Sequence, residues 1–364
     1  MSDQVRAALA AVVEGKKLTM AEARAAMGSV MDGEASPAQL AAMLVALRMR
    51  GETVDELAGF AAAMRERVLR VEAPEGAIDT CGTGGDGSNT FNISTAAALV
   101  VAAAGVPVAK HGNRAVTSAC GSADVLEALG VATDLSPLEA AEALRTDGFA
   151  FLFALAYHPA MKHAGPTRRE IGVRTAFNLL GPMTNPAGAR RQVVGVGDPA
   201  AAPKLAEVLR LLGAERALVV HGDHVDELPL DGSGVMYDVT PAGVTRRTVV
   251  ASELGLTIAP LAALAGGGPA ENAALVEAIL GGEPGPRRDV VLLNAAAALL
   301  AAGRVAGLGD GITIAAETIA SGAATNLLAR LRAAKSTRDA VRGSGTDSAA
   351  NAAGTAARPE VARA

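Results

Sequence analysis

The sequence predicts an α/β protein in two parts: a small N-terminal helical domain and a larger α/β domain with a mainly parallel central sheet. Three observations carry this. Residues 1–73 hold helix signals only. From Ala77 onward short apolar strands alternate with helices, as in a sheet covered on both faces. The length of 364 residues, half of them apolar, gives room for about two domains with a sizeable core. With aromatics at 2% and no Trp, that core must be Ala, Leu and Val.

In the helical domain Thr19 with Glu22, Ser36 with Gln39 and Thr53 with Glu56 are spaced as capping boxes, the second with Pro37 at its first helical position. Leu40, Met43, Leu44 and Leu47 then fall on one helix face. Its apolar faces can pack on one another or on a second subunit. In the α/β domain, 77–80, 106–110, 149–153, 192–196 and 217–221 read as strands. Helices start between them near Ser94, Ser122, Ser136 and Pro203. Residues 159–190 break the alternation with Lys162, His163, Arg168, Arg169 and Arg174 and with two proline turns. The domain boundaries are therefore 1–73 for the helical domain with an added excursion near 163–188, and 74–162 with 189–336 for the α/β domain. Residues 337–364, rich in Ala, Gly, Ser and Thr without periodicity, are expected to be a disordered tail.

The chain is organised around Asp79 to Thr95, where Gly82, Gly84, Gly85 and Gly87 follow a strand and precede a helix. Glycine reaches positive φ at no steric cost, so successive N–H groups can turn inward onto an anion. Asn92, Ser94 and Thr95 add neutral donors at the helix start. Known phosphate loops do not fit. The formal GxGxxG lacks a helix opening directly at the loop, and no acid occurs between Asp86 and Asp124. Gly15-Lys16-Lys17-Leu18 fails the last position of a Walker A loop, and kinase signatures are missing. A second anion cradle runs from Lys110-His111-Gly112-Asn113-Arg114 through Thr117 and Ser118 to a helix that Ser122 is expected to cap. A third stretch, His221 to Glu227, has HxxH spacing without further nitrogen or sulfur ligands nearby, so zinc is a poor match. Its adjacent Asp226 and Glu227 suit a hard ion such as Mg²⁺ that shares ligands with phosphate. Cys81 and Cys120 fall inside the motifs and read as small packed residues, since two cysteines make no disulfide framework.

Four motifs in this order, GTGGDG…FNIST, KHGNR…GSADVLEALG, HPAMKHAGPTRREIGVRTAFNLLGPMTNPA and VVHGDHVDEL, resemble the anthranilate phosphoribosyltransferases of tryptophan biosynthesis over roughly residues 5–335. The resemblance implies a homodimer formed through the N-terminal helical domain, with phosphoribosyl pyrophosphate and two Mg²⁺ ions per subunit between the domains. It places Gly82, Gly85, Asp86, Thr90, Asn92, Ile93, Ser94, Thr95, Lys110, His111, Gly112, Asn113, Arg114, Ser118 and Ser122 at the phosphoribosyl donor. It puts Gly82, Asn113, Arg168, His111 and His158 near anthranilate, Ser94, Asp226 and Glu227 on metal, and Lys110 and Arg168 in the catalytic role. Between Arg114 and Gly121 the sequence AVTSAC departs from the family, which has more hydroxyls and a lysine there.

Net charge of −5 argues against a partner nucleic acid held by an overall basic surface. The run Ala96 to Ala109 is interrupted by Gly105 and Pro107 and is shorter than the ~18 residues a membrane span needs. With no basic leader pattern, a cytoplasmic enzyme with no membrane partner is expected. The alternatives are a pyrimidine nucleoside phosphorylase-like enzyme and a non-catalytic nucleic-acid-binding relative. The acidic pair counts against both.

Overall fold

A computed structural model describes residues 2–115 and 119–353, with side chains to residue 342. Helices α1 (Asp3–Val13), α2 (Met20–Met31), α3 (Pro37–Arg50) and α4 (Val54–Arg65) form the N-terminal part. The three capping boxes close as their spacing predicts, each hydroxyl accepting the N3 amide while the N3 side chain accepts the N-cap amide. Leu40, Met43, Leu44 and Leu47 are buried together.

Five parallel strands follow: β1 (Ile78–Gly82), β2 (Val108–Gly112), β3 (Phe149–Phe153), β4 (Arg191–Gly195) and β5 (Arg216–His221). A hairpin of β6 (Ser233–Thr240) and β7 (Gly243–Val250) extends the sheet antiparallel, in the order β3-β2-β1-β4-β5-β6-β7. The sequence reading lacks this hairpin. On β7, Thr245 to Thr248 are all exposed, so the edge strand carries no apolar alternation to read.

The helices that follow in chain order are α5 (Ile93–Ala103), α6 (Ser122–Ala128), α7 (Pro137–Thr146), α8 (Ala154–Tyr157), α9 (Gly165–Ile171), α10 (Phe177–Leu180) and α11 (Ala202–Leu211). After the hairpin come α12 (Pro269–Leu280), α13 (Pro286–Ala301), α14 (Leu308–Ala320) and α15 (Ala323–Ala353). One sheet face packs on α5, α6 and α12 to α15. The other packs on α11, and that core runs without a break into the N-terminal helices.

The excursion joins this second core. Ala164, Ala176, Phe177, Leu180 and Met183 pack with Leu44 and Phe60, so the segment spans the gap between the helical bundle and the cleft above the sheet. Arg65 at the end of α4 ties three pieces together, donating to Met183 O at 2.5 Å and Leu212 O at 3.3 Å. Burial pulls its pKa down to about 10.

Two expectations are corrected. The helix near Ser122 is capped by Gly121 and Asp124, whose carboxylate accepts the Gly121 and Ala115 amides, while Ser122 Oγ donates to Asn113 O. The tail expected to begin at 337 instead continues α15 to Ala353; Leu327, Leu328 and Leu331 bury its start, and Arg342 pairs with Asp134 and Glu139. Residues 354–364 lie outside the described residues. Among the described residues no single helix is long and apolar enough to cross a membrane.

Candidate functional site

The carboxyl ends of β1, β2 and β5 open into a cavity of about 610 Å³, closed on the far side by the excursion. In open parallel sheets this edge is where ligands sit. The glycine loop forms one wall, with Gly84 and Gly85 at φ +59° and +71°, values that a side chain would strain. Thr83 N–H donates to Gly195 O at 2.8 Å and Gly84 N–H to Asp226 Oδ2 at 3.1 Å. The amides of Gly85 and Asp86 have no intramolecular acceptor among the described residues. Gly82 admits no side chain, since a Cβ there would lie 2.6 Å from Asp226 Oδ2. The loop thus anchors itself on the acid turn and keeps amides, those of Gly85 and Asp86 among them, for a ligand.

That acid turn follows β5. Asp226 donates its amide to Asp86 Oδ2 at 3.1 Å, and Glu227 Oε1 accepts the Ser94 amide at 3.1 Å from the first turn of α5. Burial and the neighbouring Asp86 push the Asp226 carboxyl up to about 7; burial and Asp226 raise Glu227 as well. Lys110 is buried beside them, with Nζ donating to Thr80 O and lying 3.4 Å from both Thr80 Oγ1 and Ser94 Oγ. Burial lowers its pKa against the pull of Asp79, Glu227 and Asp226. Its ammonium therefore faces the floor of the acid pair, where its charge partly compensates theirs. Two adjacent carboxylates with raised pKa values are what a divalent cation would relieve. Among the described residues no group of three or more such side chains forms a metal cage of its own. The donor set fits Mg²⁺, which takes most of its ligands from water and phosphate oxygens.

The loop after β2 forms the next wall, where His111, Gly112, Asn113, Arg114 and Ser122 all border the cavity. Asp79, fully buried on β1, accepts the His111 amide at 3.0 Å and so fixes how β2 ends. Gly112 is held open because a Cβ would meet Ser122 Oγ at 2.3 Å. Arg114, expected at the phosphoribosyl donor, borders the cavity but pairs with Asp124 at 3.0 Å and with Glu127, its guanidinium 5.7 Å from the Phe153 ring centroid. Ser118 and Thr117 lie outside the described residues.

Arg168 on α9 borders the same cavity, with its guanidinium 4.8 Å from the Phe177 ring centroid. Burial lowers its pKa, and among the described residues it forms no ion pair. Lys162 and Arg169 are exposed and do not border the cavity. His111 and His158 stand ring to ring at 5.2 Å, both buried. Burial pulls His111 down to about 3 and His158 to about 4, so both are neutral near pH 7.

Three expected residues are not on the cavity surface. Thr90 turns to Ser88 Oγ at 3.3 Å, while its backbone bridges to Ala265. Ile93 is in the core and its amide donates to Phe91 O. His158 lies behind His111. Two others border the cavity but have structural commitments. Asn92 donates to Cys120 O at 3.1 Å and accepts from Asn272, and Thr95 is almost fully buried, its hydroxyl without a partner among the described residues.

Residues 74–325 match the glycosyl transferase family, a/b domain, and residues 6–68 its helical bundle domain. The anthranilate phosphoribosyltransferase of Symbiobacterium thermophilum is 56% identical over 330 residues, 90% of this chain and 97% of that protein. That of Chloroflexus aggregans is 55% identical with the same coverage. The chain belongs to the anthranilate phosphoribosyltransferase family. Among solved members of the family, the Thermus thermophilus enzyme superposes with a TM-score of 0.86 at 49% identity, over 90% of this chain and 99% of its own. The Saccharomyces cerevisiae enzyme, in complex with PRPP and Mg, gives 0.84 at 26% identity, over 93% and 99%.

In this family member the structure adds residues that no motif marked. Asn272, buried on α12, donates to Asn92 Oδ1 at 3.0 Å and accepts the Gly267 amide at 2.7 Å, which braces the start of α5 from outside. Asn294 on α13 holds both the amide and the carbonyl of Leu228 at 3.0 Å and so fixes the acid turn. A buried Asn inside an apolar helix is the one signal that could have pointed to them, because its amide must find partners.

Proposed function

We propose that this chain transfers the phosphoribosyl group of 5-phosphoribosyl 1-pyrophosphate to the amine of anthranilate, with release of pyrophosphate, as an Mg²⁺-dependent cytoplasmic homodimer. One observation carries the reading. A single cavity brings together uncommitted loop amides, two carboxylates of raised pKa and an arginine that has no carboxylate partner among the described residues.

Breaking the bond between C1 and pyrophosphate leaves positive charge on the ribose and negative charge on the leaving group. The Gly85 and Asp86 amides border the cavity where that negative charge would develop, and fixed donors of this kind can be the largest catalytic contribution. Asp226 and Glu227, with Ser94, would hold two Mg²⁺ ions, which when bound supply charge neutralisation for the pyrophosphate. Lys110 keeps the acid turn from accumulating uncompensated charge. Arg168 has the planar fork that grips a carboxylate through two parallel bonds, which would orient anthranilate. The attacking amine carries its own lone pair, so no strong base is needed. His111 and Asn113 would line its approach, with His111 neutral. Held together, the two substrates react as if within one molecule.

A nucleoside phosphorylase would have no use for the acid pair. Mixing the purified protein with the donor, Mg²⁺ and anthranilate should abolish anthranilate fluorescence as the amine is substituted. Persistent fluorescence with saturating donor would overturn the reading.

A further inference from the structure

At the seam between the glycine loop and the excursion lies a contact that the substrate-binding scheme above does not use. Arg174, between α9 and α10, reaches the loop and donates Nη2 to Gly84 O at 3.2 Å and Nη1 to Gly85 O at 3.4 Å. Every described peptide is trans, so each carbonyl points opposite to the amide of the next residue. Drawing the Gly84 and Gly85 carbonyls toward Arg174 therefore aims the Gly85 and Asp86 amides the other way. Both amides lack an intramolecular acceptor among the described residues.

Position 85 is shaped for this partner. A Cβ there would lie 1.7 Å from Arg174 Nη1, and φ is +71°. Two successive glycines at positive φ cost little sterically but lose much freedom on ordering, so an outside hold on their peptide planes matters. A guanidinium can span two adjacent carbonyls; an ammonium offers a point charge. We propose that Arg174 is a positioning residue for the phosphoribosyl donor, fixing the loop peptides so that their amides are aimed at the pyrophosphate before it arrives. This rests on the donor assignment made above and extends it to the segment that joins the helical domain.

The test compares wild type, Arg174→Ala and Arg174→Lys in full-length protein. Calorimetry with Mg²⁺ and inorganic pyrophosphate, then with 5-phosphoribosyl 1-pyrophosphate, should show binding roughly 5- to 150-fold weaker for Arg174→Ala, as loss of two hydrogen bonds implies. Arg174→Lys should recover only part of it. The KM for anthranilate should stay unchanged while that for the donor rises. In ligand-free protein, hydrogen exchange at the Gly84 amide, held on Asp226, should speed up in Arg174→Ala. Weaker donor binding with unchanged exchange would mean that Arg174 touches the donor directly and would overturn the inference. So would unaltered binding in Arg174→Ala, full recovery in Arg174→Lys, or a loss confined to anthranilate. Arg174 is exposed, so the variants should keep the native fold, and circular dichroism checks this. If wild type itself binds neither probe, the donor assignment fails instead.

Discussion

Replacing Arg168 by alanine should raise the KM for anthranilate and leave that for the phosphoribosyl donor nearly unchanged. The geometry sets the size. The guanidinium is half-buried against Phe177, and no carboxylate of the described residues neutralises it, which leaves it free for the anthranilate carboxylate proposed above. Losing a charge-assisted contact costs roughly 1.5–3 kcal/mol, which is about 10- to 150-fold in affinity. Arg168→Lys keeps the charge but loses the planar fork and its stacking on Phe177, so it should fall between wild type and alanine. Lys162 and Arg169 are exposed and off the cavity, so neither is placed to substitute. Initial rates with each substrate varied in turn decide the matter. An effect confined to the donor would mean that Arg168 serves the pyrophosphate, and no effect on either constant would make it a surface charge.

Glu227→Ala should cut kcat by about 10²- to 10³-fold, more than Asp226→Ala, because Glu227 would serve one ion together with Ser94 and the other together with Asp226; activity that survives excess chelator would refute the metal role. His158 has a folded pKa of about 4, against 6.5 for the free side chain, so the unfolded chain takes up its proton first and the associated stability, full above pH 6.5, is lost as pH falls toward 4. Denaturant titrations at pH 7.5 and 4.5 should show His158→Asn losing about 2–3 kcal/mol less than wild type on acidification, and parallel losses would refute the assignment. Light scattering at micromolar concentration should give twice the chain mass, since Val13, Val45 and Met49 leave apolar surface exposed on α1 and α3; a monomer mass would rule out the dimer.

What could be read from sequence was what is encoded locally. The capping boxes join residues three apart, and the glycine loop announces itself because only glycine tolerates its φ values. The acid pair shows as two adjacent carboxylates, but not its coupling to Asp86, which is 140 positions away. The contacts that tension the loop are longer still in part: Arg174 to Gly84 spans 90 positions, Asp226 to Gly84 spans 142 and Asn272 to Asn92 spans 180. None of them has a periodicity or a motif of its own, because each pairs a side chain with whatever backbone the fold brings past it. The same reasoning explains why part of the donor motif is held by the fold itself. Asn92, Thr95 and Ile93 belong to a motif built for an anion, but a helix packed on both sides needs most of those positions for its own burial and bracing. In such a loop a ligand can be offered only the groups the fold leaves over, and the amides of Gly85 and Asp86 are among them. The residues that decide which groups those are stand outside the motif.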